Sequence, residues 1–160
     1  LLHVLDKVET DKPRFIKLSP DLNNQDIDNI LDILDNHKIQ GIICSNLTKN
    51  RDNESINPSE RNITEKGGFS GKIVRDLSDD LLSYIYKKTN NKYILIGVGG
   101  IFTAEDVYKK IKNGATLVQL ITGMIYEGPQ LISTLNQDLA KLLKRDGFKN
   151  IKEAIGSGLK

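Results

Sequence analysis

The sequence predicts an α/β fold on a parallel sheet, and three observations point there. Short apolar runs alternate with longer amphipathic stretches; the runs are β-branched or aromatic, as buried parallel strands tend to be; and polar or glycine-rich residues gather where the runs end. The runs are residues 14–18 (RFIKL), 41–45 (GIICS), 93–98 (YILIGV) and 116–121 (TLVQLI). Strands separated by helices require right-handed crossovers between parallel neighbours. Two closures satisfy the pattern: a doubly wound open sheet, or half of a TIM (β/α)8 barrel. A whole barrel takes about 250 residues, so 160 residues are too few for one and suit four β/α units. Composition alone leaves both closures open.

Each helix follows from its spacing. Residues 24–36 place Ile27, Ile30, Leu31 and Leu34 at intervals of three and four, one apolar stripe. Residues 78–89 begin at Ser78, a suitable N-cap, and offer Leu81, Leu82, Ile85 and Tyr86 for burial. The third helix opens at Thr103, with Asp106 in the acidic position of a capping box, and ends near Gly114. The fourth starts near Pro129 and carries Leu131, Ile132, Leu135, Leu139, Leu142 and Leu143. A short closing helix is expected over 149–155. Residues 47–67 form a loop of about twenty residues without periodicity, a length that marks a lid or a disordered segment. It follows the second strand on its carboxyl side, the ligand face of any parallel β/α architecture.

Charge excludes one class of partner. The 23 basic and 21 acidic residues are scattered along the chain, for a formal charge of +2, and no basic stripe suggests nucleic acid. Apolar runs stay far below the roughly 20 residues of a membrane span. Cys44, the single cysteine, sits in an apolar run and is read as a small core residue. His3 and His37 show no ligand spacing, so no metal site is expected. Residue 1 is leucine and no signal-like segment precedes the first strand, so the natural start is expected upstream.

Four features at strand ends could carry chemistry. Lys17 interrupts an apolar run, where an ammonium needs an anionic or polar partner or an opening to solvent. Ser45 and Asn46 close the second strand with a hydroxyl and a carboxamide. In Gly67-Gly68-Phe69-Ser70-Gly71 the glycines let backbone amides approach an anion. Finally, Gly97-Val98-Gly99-Gly100 follows the third strand and Gln119-Leu120-Ile121-Thr122 the fourth. Were these the last two strands of a barrel, they would fall where barrels hold phosphate. No Walker loop, G-x-G-x-x-G fingerprint or G-x-S-x-G elbow is present.

In order, the stretches IKLSPDL, IICSNLT, GGFSGK followed by RDLS, LIGVGGIF, DVYKKIKNGATLVQL and GFKNIKEAIG resemble the second half of class 2, quinone-using dihydroorotate dehydrogenases, over about residues 15–156. The resemblance implies an FMN barrel that oxidises dihydroorotate to orotate in pyrimidine synthesis and passes electrons to a membrane quinone such as ubiquinone. It implies that residues 1–160 are the C-terminal half of the barrel domain, partnered by an N-terminal half that precedes them. That other half would supply the general-base serine and the quinone tunnel, so no catalytic residue is assigned in this chain. Cofactor contacts fall on Lys17, Ser45, Ser70, Gly71, Gly99, Gly100, Ile121 and Thr122. Substrate contacts fall on Asn46 and Leu47. Two positions depart from the family pattern: Leu47 stands where a threonine usually touches orotate, with Thr48 as a neighbouring substitute, and Ile121 replaces a common tyrosine. A location at the mitochondrial inner membrane, or alternatively the bacterial inner membrane, follows from the class. A non-catalytic relative and a different FMN-dependent dihydropyrimidine oxidoreductase are the competing functions.

Overall fold

The computed structural model describes residues 2–61 and 67–159. Four parallel strands, β1 (Phe15–Leu18), β2 (Gly41–Cys44), β3 (Ile94–Val98) and β4 (Leu117–Gln119), lie in the order β1-β2-β3-β4. This order decides between the two closures. A doubly wound sheet reverses direction at a switch point, whereas here every crossover advances one strand the same way, as in a barrel wall.

Helix α2 (Asn24–Leu34) connects β1 to β2, α3 (Arg75–Thr89) connects β2 to β3, and α4 (Ala104–Lys112) connects β3 to β4. After β4 come α5 (Thr122–Glu127), α6 (Leu131–Arg145) and α7 (Ile151–Ala154); α1 (Leu2–Asp6) precedes β1. The short α1 and α5 carry too few apolar positions to announce themselves by periodicity.

The stripe on α2 buries Ile27, Leu31 and Leu34, and α3 buries Leu81, Leu82 and Ile85 against the sheet. Tyr86 is only half-buried, its ring lying over Gly114 and Gly156. A second core joins α4 to α6 through Val107, Tyr108, Ile111, Leu135, Leu139 and Leu142. Ile132, expected in that stripe, is exposed. The capping box at the start of α4 forms as expected: the Thr103 hydroxyl accepts from Asp106 N, and the Asp106 carboxylate accepts from Thr103 N. Ser78 is not an N-cap. A 3₁₀ turn over Gly71–Val74 runs straight into α3, which therefore starts three residues earlier, at Arg75. Ser78 is buried inside the helix.

The two faces of the sheet differ. Outward rows Ile16-Ile42-Leu95 and Leu18-Cys44-Gly97-Val118 lie under the helices, and Ile42, Cys44 and Leu95 are fully buried there. The alternate row Lys17-Ile43-Ile96-Leu117 points the other way. On that side Lys17 is exposed, and Ile94 and Leu117 are 41% and 57% exposed. Parallel strands are normally covered on both faces. Here one apolar face stands open, as the interior of a barrel does when half its staves are taken away.

Candidate functional site

A cleft opens at the carboxyl ends of the four strands. Every residue assigned a contact from the sequence lines it: Lys17, Ser45, Asn46, Leu47, Ser70, Gly71, Gly99, Gly100, Ile121 and Thr122. They come from separate segments, and the sheet brings them together.

Local hydrogen bonds set each wall. Ser45 N donates to Val98 O (3.0 Å) and Asn46 N to Leu18 O (2.8 Å), so the chain leaving β2 is held between its neighbours. The Ser45 hydroxyl donates to Asn46 O (2.9 Å), and Asn46 Oδ1 accepts from Leu47 N (3.0 Å), which leaves the carboxamide NH2 to donate. Opposite, the Ser70 and Thr122 hydroxyls are 3.1 Å apart, joining the glycine-rich segment to the start of α5.

The glycines are required by geometry. Gly99 and Gly100 take φ of +121° and +68°, and a Cβ on Gly100 would sit 2.3 Å from Arg75 Cβ. Both glycines line the cleft, and among the described residues their N–H groups have no acceptor. Just beyond, the Asp106 carboxylate takes the N–H groups of Phe102 and Thr103 (both 3.0 Å), anchoring the far end of the turn. Lys17 makes no ion pair among the described residues and projects its ammonium from the open face at the cleft margin. The site thus offers an amide cup and a hydroxyl at one end, a cation and a carboxamide at the other, and apolar walls from Val74, Val98, Ile101 and Leu120.

Thr48 does not substitute for the missing hydroxyl at position 47. It is fully buried, its hydroxyl donates to Asp21, and its backbone pairs with Phe69 in both directions (3.0 and 2.8 Å). Leu47 alone faces the cleft, packed against Gly68. The long excursion after β2 leaves and returns at this bridge; residues 62–66 of the expected lid lie outside the described residues.

Cys44 is buried, and burial pushes its thiol up to about 12, so it is a packing residue. His3 and His37, distant in sequence, meet edge to face at 4.8 Å. With Asp6 they form a cluster at the amino ends of the strands, away from the cleft. Asp6 there accepts from His37 Nδ1 (2.5 Å) and Lys38 N (3.2 Å) and pairs with Arg14 (3.5 Å), which ties α1 to the body.

Sequence reasoning misses the polar group behind the cleft. Lys110, fully buried on α4, donates to Ser78 Oγ (2.6 Å) and Asp79 Oδ1 (2.7 Å) on α3. The one available signal is the pairing of small residues: Gly97 and Ala115 leave the groove in which the lysine stem lies, and a Cβ on Gly97 would be 2.9 Å from Lys110 Cδ.

Comparison with known proteins agrees with this geometry. The profile of the family described as dihydroorotate dehydrogenase matches residues 1–143. The chain belongs to the dihydroorotate dehydrogenase family. It is 41% identical over 152 residues to the dihydroorotate dehydrogenase (quinone) of Trichodesmium erythraeum, covering 92% of this chain and 40% of the relative. It is 46% identical over 146 residues to the mitochondrial dihydroorotate dehydrogenase (quinone) of Arabidopsis thaliana, covering 91% of this chain and 31% of that protein. Among solved structures, the Eimeria tenella DHODH crystallised with ferulenol superposes with a TM-score of 0.86 at 32% identity, over 96% of this chain and 40% of that one. The chain therefore spans about 40% or less of the length of these relatives, and its sheet is four units of their (β/α)8 barrel.

Proposed function

We propose that this chain is the C-terminal half of a quinone-dependent dihydroorotate dehydrogenase and holds the FMN of that enzyme. The observation that carries this reading is the convergence of all the assigned contact residues on one cleft at the carboxyl ends of the strands. The residues fit the group. The glycine turn has acceptor-free amides and no room for a Cβ, and it lines the same cleft as the Thr122 hydroxyl. This end suits a phosphate, which takes backbone N–H groups readily.

Bound FMN would supply acceptance of a hydride from the substrate carbon. The chain's own residues bind and orient. Gly99, Gly100, Ile121 and Thr122 hold the phosphate, with Ser70 and Gly71 completing that wall. Ser45 would contact the ring system, and the Lys17 ammonium would stabilise the electron-rich reduced form with its positive charge. The Asn46 carboxamide donates to a substrate carbonyl. Proton removal belongs to a serine of the N-terminal half, which also closes the open face of the sheet and leads to the membrane quinone. The whole protein would thus oxidise dihydroorotate to orotate in pyrimidine synthesis, at the mitochondrial inner membrane or a bacterial inner membrane. No helix among the described residues is long and apolar enough to cross a membrane.

The test is flavin content and turnover of the full-length protein. Co-purified FMN and conversion of dihydroorotate to orotate with a quinone acceptor are expected. A folded full-length protein that takes up no FMN would refute the proposal. A second reading, a flavin-binding relative without this activity, draws on Leu47, which brings an apolar side chain to the cleft while Thr48 turns away. It predicts FMN uptake without dihydroorotate turnover.

A further inference from the structure

The buried group behind the cleft has a forced direction of hydrogen bonding. A lysine ammonium only donates and a carbonyl only accepts. Lys110 Nζ therefore donates to Ser78 Oγ (2.6 Å), and the single Ser78 hydroxyl proton goes to Val98 O (2.7 Å). The same carbonyl accepts from Ser45 N (3.0 Å). Val98 immediately precedes Gly99 and Gly100, and Ser45 lies on the opposite wall. One chain of bonds thus runs from α4 through α3 to the peptide where both walls of the cleft meet. Asp79, itself buried, holds the ammonium (2.7 Å) and takes a second lysine, Lys109, on its other oxygen (3.0 Å).

Tying three elements together could be done by apolar packing, and buried ion pairs are often no better for stability than the hydrophobic residues that replace them. A buried charge that ends on the turn bearing the unpaired amides has a narrower use. We propose that Lys110, Asp79 and Ser78 are positioning residues that hold the Val98 carbonyl and so aim the Gly99–Gly100 amides at the cofactor phosphate. This rests on the FMN reading above, and it concerns no group that touches the flavin. Ser78 Cβ and Oγ lie 3.3 Å from where a Gly99 Cβ would be, so the serine also forms the floor under the turn.

The test compares FMN with riboflavin, which lacks the phosphate, on the apo form of the full-length protein by quenching of flavin fluorescence. Two variants are needed: Ser78→Ala, and the double variant Asp79→Leu with Lys110→Met, which replaces the ion pair by apolar side chains of similar bulk. Thermal midpoints are read alongside. The expected result is FMN binding weakened about tenfold in both variants, equivalent to about 1.4 kcal/mol, with riboflavin binding unchanged and the double variant melting near the wild type. FMN and riboflavin affinities that stay at wild-type values, or that fall together, would overturn the positioning role while leaving the flavin reading intact. A wild-type protein that binds neither flavin would instead refute the flavin reading itself.

Discussion

Gly100→Ala is the sharpest probe of the amide cup. At φ +68° an alanine is strained, and its methyl would start 2.3 Å from Arg75 Cβ and 2.8 Å from Arg75 Cα, the latter backbone of a helix that cannot swing aside. The left-handed backbone costs about 1–2 kcal/mol, and the overlap adds about 1–3 kcal/mol as for an overpacked core. Against these, alanine restricts the unfolded chain and returns roughly 0.4–1 kcal/mol. The net expectation is about 3 kcal/mol of destabilisation. Gly147→Ala is the control: it has φ +80°, yet nothing lies within 4 Å of its Cβ, so only the backbone part applies. Urea denaturation of both variants in the full-length protein isolates the steric part by difference, and an FMN titration reports the cup. If Gly100→Ala proves no more destabilising than Gly147→Ala, the close approach of Arg75 to the turn is refuted.

Other outcomes follow from single contacts. Thr122→Val keeps the shape but removes the hydroxyl facing Ser70; FMN affinity should fall by roughly tenfold, about one hydrogen bond to a charged group, in a fluorescence titration. Thr103→Ala opens the capping box of α4 and should lower stability by about 1 kcal/mol in the same denaturation assay. Asp146, whose carboxyl is held down to about 2 by Arg145 first and by the Tyr108 hydroxyl second, binds α6 to α4. A depressed carboxyl stabilises above its unfolded value of 3.8, and that contribution is lost as pH falls toward about 2. The stability difference between wild type and Asp146→Asn should therefore shrink across that window and be largest at neutral pH. Native Cys44 should resist thiol alkylation at neutral pH and react once the protein is unfolded, because its thiolate is suppressed by burial.

What could be read from residues alone was local. The β-branched runs, the α2 stripe and the Thr103–Asp106 box depend on neighbours a few residues apart, and each formed where expected. The cleft residues were legible because their stretches resemble a family, and the fold then gathered them. Failures came where a distant partner overrode the local preference. A serine ahead of an apolar stripe is a good N-cap, but Gly71–Val74 had already started the turn and β3 offered Ser78 a carbonyl. Lysine at position 110 belongs by habit in solvent; only Asp79, thirty-one residues away, makes its burial tolerable. Thr48 looked like a substitute for the absent hydroxyl until Asp21 claimed it.

The reciprocal pairing of Thr48 with Phe69 works as a clasp at the neck of the long excursion after β2. Beyond that neck the described part of the excursion is anchored again, since Ile56 within it is fully buried. A deletion that removes Ile56, or Ile56→Ala, should therefore cost roughly 2–5 kcal/mol in urea denaturation, as for other emptied core sites.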